Sequence, residues 1–153
     1  MSIEPWLHFA HIGAAMIWVG GGVVLMMVGL RVRRSGDVAF MSEFARTLSY
    51  VGLRVLTPAV VVVLASGIWL VLQQSRSFGE LWILLALGAF ALAFLIGAVF
   101  LSRNAIALER LATGANTDAP RAREALDRWI FGYLVVLALL VFTLWDMIFK
   151  PRL

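Results

Sequence analysis

Cysteine is absent from this chain, and other chemically reactive residues are scarce. Its 153 residues include two histidines, and only 14% are Asp, Glu, Lys or Arg. Without cysteine the chain itself forms no disulfide, binds no metal through thiolate and holds no iron-sulfur cluster. It also has no glycine-rich phosphate loop with its lysine, and no Ser, His and Asp set with supporting motifs. These absences disfavour an enzyme.

Hydrophobic residues, by contrast, make up 62% of the chain and are concentrated in four long runs. The runs cover about residues 5–30, 55–72, 81–101 and 129–149. About 20 apolar residues at 1.5 Å per residue cross the ~30 Å hydrocarbon core, where helices satisfy every backbone hydrogen bond internally. The sequence therefore predicts an all-α fold, a four-helix transmembrane bundle forming a single integral membrane domain over residues 1–153.

Amphipathic segments continue two of these runs. Between residues 38 and 55, and again after residue 101, apolar positions recur at three- and four-residue steps. Asp37 is the expected cap of the first segment, and the stretch Gly114 to Pro120 interrupts the second. We expect short amphipathic extensions on the cytoplasmic side. Pro58 predicts a kink near residues 54–58, with Thr57 able to satisfy a freed carbonyl.

The net charge of +4 is distributed unevenly along the chain, which we interpret as a topology signal rather than a nucleic-acid surface. Arginines crowd the first and third connections, whereas the opposite side has three basic residues. The first and third connections and their flanks carry Arg31, Arg33, Arg34, Arg46, Arg54, Arg103, Arg110, Arg121, Arg123 and Arg128, and the opposite side carries Arg76, Lys150 and Arg152. Since cytoplasmic loops are enriched in Lys and Arg, the sequence predicts a bacterial inner-membrane protein with both termini outside.

Ionisable residues near the outer ends of two runs form a candidate metal site. His8 and His11 lie one helical turn apart in the first run, and Asp146 lies at the same level in the fourth. Such groups at membrane depth usually turn towards partners or a cavity. His8, His11 and Asp146, or Glu4 in place of Asp146, form a set of ligands suited to copper, zinc or iron. The alternative is a His11–Asp146 contact that ties two helices together.

A b-type haem is a second cofactor hypothesis. Two residues one turn apart on one helix cannot supply both axial ligands to one iron. The haem hypothesis therefore needs His11 with Met147, or a ligand from a second subunit.

Several motifs resemble those of membrane families. The opening His8-Phe-Ala-His11-Ile-Gly, with Trp18-Val-Gly-Gly, resembles the first helix of copper-resistance protein D type proteins. Nearly the whole chain is similar to a widespread bacterial family of predicted integral membrane proteins of unknown function. That similarity rests on Arg33-Arg-Ser-Gly-Asp37, Arg54-Val-Leu-Thr-Pro58, Ser66-Gly-Ile-Trp69-Leu, Ser77-Phe-Gly-Glu-Leu-Trp82, and Asp146 followed by Lys150-Pro151.

The two resemblances have different implications. The similarity over the whole chain implies the four-helix fold, and the first-helix similarity implies copper handling or haem-based electron transfer. Haem-binding relatives use a second ligand on another helix, and this chain has no histidine after His11. Our first hypothesis is a non-enzymatic accessory or scaffold component of the inner membrane, and the alternative is a copper or b-type haem protein. Expected partners are the lipid bilayer and a homo-oligomer or larger membrane complex, but no nucleic acid.

Overall fold

Four helices, each long and apolar enough to cross a membrane, account for the regular structure of the computed structural model, which describes residues 3–113 and 117–151. They are α1 (Glu4–Ser35), α2 (Val38–Gln73), α3 (Leu81–Ala112) and α4 (Ala119–Phe149). The predicted all-α fold with four spanning helices is confirmed. The break predicted at Gly114 and the basic residue Arg152 lie outside the described residues.

The helices extend well past the four hydrophobic runs at the end of the bundle where the arginines cluster, here called the arginine end. Gly36 ends α1 in a left-handed conformation, with φ of 67°. The Asp37 side chain then accepts a hydrogen bond from the backbone N–H of Ala39, 2.8 Å away, as predicted for the cap of α2. The amphipathic extension of α2 buries Met41, Phe44, Ala45 and Leu48 against the other helices.

Two π-helical turns interrupt the α-helical hydrogen bonding, one in α2 (Gly52–Leu56) and one in α3 (Ile96–Leu101). The first lies just before Pro58, where the sequence predicts a kink, and a proline ring clashes with the carbonyl four residues earlier. The Thr57 hydroxyl donates to the Gly52 carbonyl at 2.8 Å. The second turn has no proline, and there the Ser102 hydroxyl donates to the Gly97 carbonyl at 3.1 Å.

Helix packing leaves one side of the bundle open. α1 packs against α4 and against the Thr57–Gln73 part of α2, and α4 packs along α3. At the arginine end, Val38–Val51 of α2 packs against Ser102–Ala112 of α3. Farther along, Thr57–Gln73 and Leu81–Leu95 do not approach each other. α2 and α3 therefore meet at one end of the bundle and separate towards the other.

The core is built from aromatic rings set against small residues. Phe44 meets the edge of Trp129 with ring centroids 5.5 Å apart, and Trp129 stacks on Tyr133 at 5.0 Å. Gly29 and Gly22 of α1 give these rings room. Close approach at small residues is the usual basis of helix association in lipid, because lipid tails are as apolar as leucine. The outward surface carries large exposed apolar side chains, as expected of a protein that sits in a bilayer.

Candidate functional site at the histidine end of the bundle

His11 joins α1 to α2 at the opposite end of the bundle, here called the histidine end. Its Nδ1 lies 3.0 Å from the carbonyl oxygen of Val63 and 3.1 Å from the hydroxyl of Ser66. A carbonyl only accepts, so Nδ1 carries the proton and donates it. The Ser66 hydroxyl donates to the Val62 carbonyl and can therefore accept from His11. The imidazole thus links two helices, and its Nε2 is left unprotonated in the neutral ring.

Gly67 is the residue that lets this ring approach α2. A Cβ atom placed on Gly67 would lie 3.1 Å from His11 Cε1, which is tighter than ordinary van der Waals contact. The Ser66-Gly67 pair thus provides both a hydrogen-bond acceptor and the space for the imidazole. In the sequence these two residues stand out only as part of the motif Ser66-Gly-Ile-Trp69-Leu. A serine and a glycine side by side in an otherwise apolar run were the available signal.

His8 does not share these partners, although it lies one turn from His11 on the same helix. Its Nδ1 is 3.0 Å from the carbonyl oxygen of Glu4, also on α1. The Glu4 carboxylate accepts instead from the side-chain amide of Gln74, at 3.3 Å, and this bond ties the start of α1 to the turn after α2. His8 thus bonds within its own helix, whereas His11 bonds across helices.

Asp146 is the most unusual residue of the site. Its side chain is fully buried on α4, and neither carboxylate oxygen has a hydrogen-bond partner among the described residues. The alternative in which a hydrogen bond between His11 and Asp146 ties two helices together is therefore wrong, and His11 uses its Nδ1 on α2 instead. Met147, the next residue, is partly exposed. An unpaired charged group costs several kcal/mol at such a position, so a buried carboxyl without a partner is a candidate for a ligand or a bound proton.

Polar contacts join the start of α3 to the end of α4, four residues after Asp146. The Lys150 ammonium lies 5.3 Å from the centroid of the Trp82 ring, a cation–π distance. The Trp82 indole donates to Glu80 at 2.8 Å, and Arg76 lies 3.7 Å from the same carboxylate. The Lys150 ammonium, four residues after Asp146, thus lies against the tryptophan ring.

The predicted ligands do not come together as a set of three in the part of the chain that the structure describes. Within residues 3–113 and 117–151, no three His, Cys, Asp or Glu side chains are grouped so as to hold a metal ion. The metal set of His8, His11 and Asp146 thus has no direct geometric support, and it stays a prediction. The same holds for the haem pair of His11 and Met147.

Comparison with known proteins identifies the family. The family model described as "Predicted integral membrane protein (DUF2269)" matches residues 5–151, nearly the whole chain. The chain belongs to this family. The resemblance to a family of predicted integral membrane proteins of unknown function is thereby confirmed. Searches of curated proteins and of solved structures gave no match.

The family description covers the membrane location and names no activity, ligand or partner. The comparisons give no support to the similarity with copper-resistance protein D type proteins. Family membership and the four spanning helices together make this an integral membrane protein that sits in a lipid bilayer.

Proposed function

We propose that this protein is a non-enzymatic accessory or scaffold component of the bacterial inner membrane, acting as one membrane domain. The observation that carries the proposal is the use of His11 as a link between α1 and α2. An imidazole whose Nδ1 bonds a backbone carbonyl and a serine of the neighbouring helix serves bundle assembly. Interhelical hydrogen bonds in membranes contribute about 0.6–2 kcal/mol.

The proposed orientation places both termini, and with them the histidine end, outside the cytoplasm. Its support is the excess of arginine on the two long connections, because such charge is retained on the cytoplasmic side. In this orientation the scaffold presents arginine-bearing helix ends to the cytoplasm. The proposed partners are further copies of the chain or other subunits of a membrane complex.

The experiment is purification of the tagged chain from bacterial membranes in mild detergent, followed by absorption spectra, elemental analysis and mass determination. We expect no Soret band and no stoichiometric metal, together with a fixed oligomer or a partner of constant stoichiometry. Purification as a monomer without a partner in several mild detergents would contradict the scaffold proposal.

A metal or haem protein is the second candidate, and the orphaned carboxylate of Asp146 is the observation that favours it. A bound cation would provide the partner that this buried group lacks. The His11 Nδ1 bond to Val63 also leaves Nε2 as the free ligand atom, an arrangement common among metal-binding histidines. In this candidate Asp146 and His11 hold the metal, with His8 as third ligand, or His11 and Met147 hold haem b.

Titration of the purified protein with copper or haem distinguishes the two functions. Binding of one equivalent of copper by the wild type, lost in both His11→Ala and Asp146→Asn, would establish the metal candidate. Retained binding in both variants would instead indicate adventitious metal. The variant His8→Ala distinguishes the metal set from the haem pair, because His8 is a ligand in the metal set only.

A further inference from the structure

A cavity of about 350 Å³ lies between α2 and α3, nearer to the arginine end than to the histidine end. Its walls come from all four helices and are mainly apolar. They include Trp18, Gly52, Leu56, Gly97, Leu101 and Tyr133. The volume falls in the range of about 300–1,000 Å³ that is typical of ligand pockets. This space is unrelated to His11 or Asp146.

The two π-helical turns shape this cavity. Gly52 begins the turn in α2 and Gly97 lies in the turn in α3, and both residues line the space. A Cβ atom on either glycine would meet no atom within 4 Å. Each helix therefore presents a bare stretch of backbone to the cavity. Since Thr57–Gln73 and Leu81–Leu95 do not approach each other, the space opens sideways towards lipid.

The rim at the arginine end is polar and positively charged. Ser49 lines the cavity, and its hydroxyl donates to Glu109 at 3.4 Å, which joins α2 to α3. Arg46 lies three residues before Ser49, and Arg110 lies four residues after the cavity-lining Ile106, so each arginine stands one turn beyond the wall. Both arginines are exposed, and neither forms an ion pair with the described residues.

We propose that this cavity binds one anionic phospholipid from the leaflet at the arginine end. One of its two acyl chains fills the apolar space between α2 and α3, and its phosphate lies at Arg46 and Arg110. An apolar space that opens within the bilayer is reached by lipid chains, because water is absent there. Basic pockets between transmembrane helices are known to take anionic head groups. Glu109 already accepts from Ser49, whereas Arg46 and Arg110 have no ion-pair partner within residues 3–113 and 117–151, so the two guanidinium groups complement a negative phosphate.

Native mass spectrometry of the purified full chain tests the proposal. The protein in detergent is mixed with phosphatidylglycerol or with phosphatidylcholine of the same acyl chains. We expect one phosphatidylglycerol to be retained, with a preference of about tenfold over phosphatidylcholine, equivalent to ~1.4 kcal/mol. In the wild-type chain, a photoactivatable acyl chain on phosphatidylglycerol should cross-link to Leu56 or Leu101.

Filling the cavity supplies the matched pair of variants. Gly97→Leu places a side chain in the space and should abolish retention of the lipid. Gly88→Leu adds the same side chain to the same helix, at a glycine that also has no atom within 4 Å but does not line the cavity. It should retain the lipid as the wild type does. Gly52→Leu fills the cavity from the opposite wall and gives the same loss if Gly97→Leu fails to fold.

Head-group recognition is tested separately. Arg46→Gln with Arg110→Gln should still retain one lipid but lose the preference for phosphatidylglycerol. Equal retention of both lipids by the wild type would overturn the anionic assignment. Lipid retention in both glycine-to-leucine cavity variants would overturn the site itself. Cross-links from the cavity to a second protein chain would also overturn it, because the occupant would then be a helix.

Discussion

The hydroxyl of Tyr133 on α4 lies directly against the backbone of Gly22 on α1. A Cβ atom on Gly22 would come within 2.8 Å of Tyr133 Cε1 and would overlap the hydroxyl. The hydroxyl is buried and has no hydrogen-bond partner among the described residues. The contact therefore rests on close packing of two helices, at a position where any side chain on α1 would force them apart.

Gly22→Ala should accordingly destabilise the bundle. Overpacking of this kind costs about 1–3 kcal/mol, because the added methyl displaces a ring held by Trp129. Thermal melting in detergent measures the effect. Gly20→Ala is the matched control on the same helix, since a Cβ there meets nothing within 4 Å. Equal melting temperatures for both variants would show that Tyr133 does not pack against Gly22.

The bond between His11 and Ser66 should appear as a coupling between the two residues. In a double-mutant cycle of His11→Leu and Ser66→Ala, we expect an interaction energy of about 0.6–1.7 kcal/mol, as for other hydrogen bonds between transmembrane helices. Unfolding in denaturing detergent gives the four stabilities. A cycle of His8→Leu with Ser66→Ala is the control, because His8 bonds to Glu4 of its own helix. A coupling near zero in the first cycle would contradict the link.

Thr57→Val should weaken the π-helical turn of α2. The variant keeps the side-chain shape and loses the hydroxyl bond to Gly52, so a cost of about 1 kcal/mol is expected. The Gly52 carbonyl still accepts from the backbone N–H of Thr57, which limits the loss. Thr47→Val is the comparison, since its hydroxyl bonds to the Glu43 carbonyl on an exposed stretch of the same helix. A larger loss in the Thr47 variant would argue against this role for Thr57.

The variant Asp146→Asn tests whether the Asp146 carboxyl stabilises the fold or binds a ligand. Because neither oxygen of Asp146 has a partner in the part of the chain that the structure describes, removing the charge should leave the melting temperature in metal-free buffer unchanged or raise it. A lower melting temperature of Asp146→Asn in metal-free buffer would contradict this expectation, because it would show that the carboxylate has a stabilising partner. Asp127→Asn provides the contrast, because Asp127 pairs with Arg33 and its loss should lower stability by about 0.2–1 kcal/mol.

The absence of cysteine makes topology testable with single reporters. Ser77→Cys lies in the turn between α2 and α3, and Ser35→Cys lies at the arginine end; both positions are exposed. With a membrane-impermeant maleimide, we expect Ser77→Cys to react in spheroplasts. Ser35→Cys should react only after the membrane is permeabilised. The reverse pattern would invert the proposed orientation.

Hydropathy predicted the number and place of the helices because lipid imposes a length of about 20 apolar residues on each span. The apolar period of residues 38–55, and of those after residue 101, predicted the helical extensions beyond these runs. Val38–Val51 and Ser102–Ala112 lie beyond the apolar runs and remain helical because they pack against each other. Beside Pro58 the sequence predicted a kink and the bond from Thr57 to a carbonyl, and the structure has a π-helical turn with the Thr57 bond to Gly52. The turn at Ile96–Leu101 has no such marker, and only a glycine and a serine five residues apart accompany it.

The candidate site was harder to predict because depth along a helix does not fix rotation about its axis. His11 and Asp146 were paired since both are ionisable residues at one level of the membrane. Packing instead turns His11 Nδ1 towards α2, where Ser66 and the Val63 carbonyl accept its proton. Backbone acceptors leave no trace in sequence, so the Val63 partner could not have been identified in advance.

The helices contain 31 to 36 residues each, which corresponds to about 46–54 Å at 1.5 Å per residue. A hydrocarbon core of ~30 Å accommodates barely two thirds of that length. The remainder continues at the arginine end as packed helices among the lipid head groups, which widen the bilayer to about 40–45 Å. A protein approaching this side of the membrane would therefore meet a preformed surface of helix ends.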